Sequence, residues 1–140
     1  MSRVTRIYTP LDARRLERLA EAKLLSGAEI RAYAVTDAYR SAMPPSDDEE
    51  TLEYTVLQEA AAFAAASGWR VIGAADLESA QVAAHGGDEP ARVDVESDVT
   101  LRRFASLHVL DPAGERDPDA DFELSWYDIT ELADVRRLLG

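Results

Sequence analysis

The feature that most restricts this chain is the way its apolar residues change period, and where proline and glycine interrupt them. Residues 3–8 (Arg3-Val4-Thr5-Arg6-Ile7-Tyr8) are rich in β-branched and aromatic types and read as a strand. Thr9-Pro10-Leu11-Asp12 then offers a hydroxyl N-cap, a proline suited to the first helical position and an acid in the first turn. This predicts a helix to about Leu25, with Leu16, Leu19, Ala20 and Leu24 inward, Arg14, Arg15 and Arg18 outward, and Ser26-Gly27 as the stop. Glu29 to Val35 alternates Ile30, Ala32 and Ala34 against Arg31, Tyr33 and Val35, a second strand. Strand, helix and strand in that order predict a right-handed parallel βαβ unit.

The punctuation continues downstream. Thr36 to Met43 reads as one short helical turn stopped by Pro44-Pro45. Ser46-Asp47-Asp48-Glu49 has a capping-box pattern, opening a helix with Leu52, Val56, Ala60 and Phe63 on one stripe and Ser67-Gly68 at its end. Trp69 to Ala75 is apolar enough for a central strand, and Ala91 to Val95 and Ala105 to Leu110 are two more. The intervening His85-Gly86-Gly87-Asp88-Glu89-Pro90 reads as a turn. A C-terminal helix runs from Asp128 or Ile129 to Leu139. The expectation is one α/β (α+β) domain over residues 1–140, in the order β-α-β-α-β-β-β-α. It has two layers, a mixed sheet of about five strands with helices on one face.

Composition then narrows the chemistry. The 140 residues contain no cysteine and two histidines, so thiolate zinc, disulfides, Fe–S clusters and three-histidine zinc are excluded. A net charge of −12 opposes nucleic acid and anionic membrane as direct ligands, because the long-range field repels phosphate. That charge is uneven: residues 1–40 carry eight bases and five acids, whereas residues 41–140 carry seven bases and 22 acids. The longest small apolar run, Ala60 to Ala66, is seven residues, against the ~20 needed to span a bilayer. A cytoplasmic protein is expected, and no targeting segment is read at Met1-Ser2-Arg3.

Several constellations have candidate chemistry. Gly68 to Gly73 matches phosphate-loop spacing, but Ala74-Ala75 stand where lysine and a hydroxyl are required. Acids at Asp117, Asp119, Asp121, Glu123 and Asp128 fall at calcium-loop positions. Phe122 stands where that loop needs glycine, so a solvated acidic loop is the better reading and no metal is assigned. His108 lies mid-strand on one face with Ser106 and Leu110, and would need an acid such as Glu53 or Asp76 brought close by the fold. Trp126-Tyr127 sits between an acidic loop and a helix, where one ring anchors the core and the other is a surface hot spot. Tyr54 falls at the edge of its helix stripe. The small basic face of Arg14, Arg15 and Arg18 pairs with Glu17 and Glu21, or meets the acidic segment of another copy in a homo-oligomer.

Six segments carry a family resemblance: Arg6-Ile7-Tyr8-Thr9-Pro10, Arg31 to Thr36, Glu49 to Tyr54, Arg70 to Asp76, Ala105 to Val109 and Glu123 to Tyr127. In this order the chain resembles a family of small uncharacterised actinobacterial proteins, a domain of unknown function. The resemblance implies a bacterial cytoplasmic protein and brings no established activity with it.

No cofactor fingerprint or metal set accompanies these features, so the expected function is a non-enzymatic binding or regulatory module acting through contacts with a protein, a basic one in particular. The alternatives are a small enzyme or small-molecule binder with a pocket around His108, and an acidic decoy that imitates nucleic acid. The candidate cluster is Glu53, Tyr54, Asp76, His108, Trp126 and Tyr127. Whether Tyr54, His108 and Trp126 converge is the deciding observation.

Overall fold

Strand β1 (Val4–Leu11) lies near the centre of a seven-stranded sheet, and its alternating side chains serve two separate cores. Ile7 and Leu11 point into one and Tyr8 into the other. The computed structural model describes residues 3–111 and 120–140. After β1 come helix α1 (Ala13–Ala22), the short strands β2 (Leu24–Leu25) and β3 (Ala32–Tyr33), and helices α2 (Asp37–Ala42) and α3 (Glu49–Ala66). Strands β4 (Val71–Glu78), β5 (Val82–Ala84), β6 (Arg92–Val95), β7 (Val99–Thr100), β8 (Phe104–Leu110) and β9 (Leu124–Asp128) follow, then helix α4 (Leu132–Leu139). The main sheet has the order β5-β6-β3-β1-β4-β8-β9, and β2 pairs with β7 beside it.

The fold is α+β, but every strand pair among the described residues is antiparallel. The predicted parallel βαβ unit is therefore corrected. Asp12, not Thr9, caps α1, its carboxylate accepting from the Arg15 N–H at 2.9 Å. The helix ends at Lys23, which adopts a left-handed φ of 63°. Leu24 and Leu25 then pair with Thr100 and Val99 instead of extending the helix, and the chain comes back against β1 through the single pair Tyr8–Tyr33. Gly27 fixes that return: a Cβ there would lie 2.3 Å from the Val95 carbonyl oxygen, so only glycine permits the close approach. Pro10 is tolerated inside β1 because it lies beyond that one pair, where a missing N–H costs no ladder bond towards β3.

Helices cover both faces, in place of the one expected. Leu16 and Leu19 of α1 and Leu132 and Val135 of α4 join Ile7, Val71, Leu107 and Val109 in the first core. Tyr39 of α2 and Leu52, Val56, Ala60 and Ala64 of α3 cover Tyr8, Tyr33, Ile72 and Ala74 in the second. The helix at 37–42 agrees with the expectation, capped by the Thr36 hydroxyl; Asp48, not Ser46, caps α3. Among the described residues, no helix is long and apolar enough to cross a membrane.

Candidate functional site

The second face of the sheet becomes polar towards β8 and β9. Register places Ala74 of β4 beside Ser106 of β8 and Asp128 of β9; one row along, Ile72, His108 and Trp126 line up in the same way. A bulge at Ala105 makes this possible: Ala74 pairs with Ser106, but Ala75 pairs with Phe104. The extra residue turns the Phe104 ring into the first core, over Gly73, while Ser106 and His108 stay on the second face. A Cβ on Gly73 would come 2.7 Å from Phe104 Cε1, so the ring needs glycine beneath it.

Four of the six predicted residues lie on this face. His108 is half-buried, and its Nε2 shares a 3.1 Å hydrogen bond with the Ser106 hydroxyl. Burial holds its pKa below the ordinary imidazole value, and the positive charge of Arg6 lowers it further. Neither acid reaches it. Asp76 binds Arg6 in a two-pronged pair, with Nε at 2.9 Å and Nη2 at 2.8 Å, so both carboxylate oxygens are occupied. Glu53, one residue past Leu52 on α3, turns down towards β1 and lies against the Tyr8 hydroxyl. Burial raises its pKa, an effect that the Tyr8 hydroxyl partly offsets, and Glu53 Oε2 is shielded from solvent with no hydrogen-bond donor among the described residues. Burial and the neighbouring Glu53 together push the Tyr8 hydroxyl pKa far up.

Trp126 stands opposite His108 and is 62% exposed, on the outermost strand of the sheet. Tyr54 does not join it: its hydroxyl donates to Asp121 Oδ2 at 2.8 Å, tying α3 to the segment leading into β9. Gln58 strengthens that tie, accepting from the Phe122 N–H and donating to the Phe122 carbonyl. Tyr127 does not join the others either, and is the ring of the pair that anchors the core. It pairs with Leu107, points through the sheet to the first face and packs against the first core.

Sequence reasoning missed Arg6 and Tyr8 as site members, because only the register of β1 against β4 places them beside Asp76 and under α3. It also took Glu123 to Asp128 for a loop-to-helix junction, where the chain forms β9. Alternation of Leu124 and Trp126 with Ser125 and Tyr127 was the available signal. The Asp117 and Asp119 positions of the candidate calcium motif lie outside the described residues. Among the described residues, no three histidines or acids are placed to hold a metal ion.

The model of a family of unknown function, DUF6912, matches residues 5–135. No curated protein and no solved structure matches the chain.

Proposed function

The chain belongs to that family of unknown function, and from the geometry of its β9 face we propose a non-enzymatic binding or regulatory module that acts through protein–protein contacts with a basic partner. One observation carries the reading: a large aromatic, Trp126, is 62% exposed on an outer strand within an acidic stretch of sequence. Residues 120–135 hold Asp121, Glu123, Asp128, Glu131 and Asp134 and no lysine or arginine. An exposed tryptophan in a stretch whose charges are all acidic is well suited to anchor an oppositely charged surface. In this reading the protein works in the cytoplasm of an actinobacterial cell, without direct contact to nucleic acid or membrane. Its acidity and the family resemblance support that setting.

Self-association through the basic face of α1 has less support. Arg15 is held by Asp12 and the Glu29 carbonyl, and Arg18 by the Glu29 carboxylate. Of the acids that open α3, Asp48 serves as a cap and Glu49 pairs with Arg40.

The test is retention of proteins from lysate on the immobilised chain and on its Trp126→Ala variant, at low and high salt. The reading expects basic proteins retained at low salt, released as screening shortens the Debye length to about 3 Å at 1 M, and lost with the variant. Equal retention by both forms would contradict it. A second reading, a small enzyme or small-molecule binder, is favoured by the unmatched Glu53 Oε2 near Tyr8 and Arg6. It predicts a ligand whose affinity falls with Glu53→Gln or His108→Gln and is indifferent to Trp126→Ala.

A further inference from the structure

We propose that β9 takes up its partner by strand addition, with an extended basic segment pairing along the outer edge of the sheet. This rests on the protein-binding reading and specifies how the same surface works.

The hydrogen-bond phase of β9 supports it. The Asp111 N–H donates to the Glu123 carbonyl at 3.1 Å, so this facing pair is a bonded one. Bonded and non-bonded pairs alternate in an antiparallel ladder. Ser125 and Tyr127, facing Val109 and Leu107, therefore bond inward to β8. Leu124 and Trp126 turn their N–H and C=O groups outward, where no described strand pairs with them. Asp128 closes the edge, since Glu131 Oε1 takes its N–H at 3.3 Å. The open edge thus offers two N–H donors and two carbonyl acceptors, a length that about five extended residues cover at ~3.3 Å each.

Side chains select the occupant. Leu124, Trp126 and Asp128 share one face by alternation, so alternate residues of an added strand lie beside an indole ring and a carboxylate. Lysine or arginine there gains both a cation–π contact and an ion pair. A second copy of β9, paired antiparallel about Ser125, would set Asp128 opposite Phe122 and Glu123 opposite Tyr127, and so would bring no cation to the indole or the carboxylate. Sheet edges are normally blunted by charge. Here the one charge beside the exposed tryptophan on its face of β9 is the Asp128 carboxylate, which disfavours acidic strands and favours basic ones.

The experiment uses the full chain and three synthetic peptides. One alternates lysine with valine or threonine. Another has the same charge with proline at alternate positions, and the last replaces lysine with glutamate. The readouts are affinity at low salt and amide hydrogen exchange at Leu124 and Trp126. The strand-forming basic peptide is expected to bind and to slow both amides at least about tenfold, while the proline peptide binds about tenfold more weakly, the loss of two hydrogen bonds. Equal binding of the two basic peptides, without new protection at Leu124 and Trp126, overturns strand addition and leaves the protein-binding surface standing. Failure of both basic peptides to bind, or equal binding of the acidic one, overturns strand addition and the basic-partner reading together.

Discussion

The two tryptophans of this chain lie in regions built to opposite ends. Trp69, just before β4, is half-buried against the second core, edge-on to Phe63 with ring centroids 5.8 Å apart. The guanidinium of Arg15 lies 5.0 Å from its centroid. Arg31 repeats the arrangement nearby, lying 4.4 Å from the Phe63 centroid while donating to the Tyr33 hydroxyl and pairing with Glu89. Each large group in that region has a partner. Trp126, on β9, has no phenyl, phenol or indole ring and no guanidinium against it among the described residues and is 62% exposed. Beneath it lie His108, held through one ring nitrogen, and further along the face Glu53 with an unmatched oxygen. Arginine–aromatic stacking consumes aromatic surface for folding in the first region, and the second leaves it open. The difference gives one tryptophan to stability and leaves the other to the proposed recognition.

Substitutions can break that contrast, and the largest effect is expected at Trp69. Trp69→Ala should cost about 3 kcal/mol of stability, the low end for a large aromatic because the ring is only half-buried, as read by chemical denaturation. A loss below about 1 kcal/mol would mean that the stacked arginines contribute little packing.

Next is Gly73→Ala, which forces a Cβ to within 2.7 Å of the Phe104 ring. About 1–3 kcal/mol should be lost as the ring is displaced. The bulge that keeps Ser106 and His108 on the second face should loosen with it, visible as faster amide exchange in β8. A neutral substitution would contradict the close packing of Phe104 over Gly73.

Smaller effects come from the polar groups, and their signs are opposite. Burial raises the Glu53 pKa in the folded state, so the protonated form is the one the fold favours. Its stabilising contribution is complete below the ordinary glutamate value near ~4.3 and is lost as pH rises through the raised value. Glu53→Gln should therefore raise the melting temperature relative to the parent at pH 7 and lose that advantage at pH 4. His108 has a lowered pKa, so its contribution is present above the ordinary value of about 6.5 and declines as pH falls through the folded-state value. His108→Gln should flatten the fall in melting temperature below pH 6.5. Parallel pH profiles for parent and variant would show that the imidazole is not shielded as described.

Much of this contrast was legible before the fold was known, for physical reasons that differ by element. The stripe of α3 and the apolar run of β4 are local periodicities, and Leu52, Val56, Ala60, Val71 and Ile72 are buried as they imply. The direction of strand pairing is not local. Strand, helix and strand suggested a parallel unit, but pairing of Leu24-Leu25 with β7 and the tight approach at Gly27 turned β3 antiparallel to β1. Four strands have only two or three residues; β3 falls inside the alternating run 29–35, but β2, β5 and β7 are too short to show alternation. In the candidate site, Glu53, Asp76 and His108 were recognisable as polar residues beside apolar ones, and Trp126 as a large aromatic in an acidic stretch. That Tyr127 faces away from Trp126 follows from alternation once 124–128 is a strand, and the acidic surroundings hid that strand. Arg6 was unreadable as the partner of Asp76, since only the β1–β4 register puts the two side by side.

The central claim, that Trp126 is kept for recognition and not for folding, is tested most directly by titrating parent and Trp126→Ala proteins of matched stability with a basic strand-forming peptide at low salt. The variant should keep its stability to within about 0.5 kcal/mol, as expected of an exposed position. It should bind at least about thirtyfold more weakly, the loss of an interface anchor worth about 2 kcal/mol. Unchanged affinity in the variant would contradict the claim.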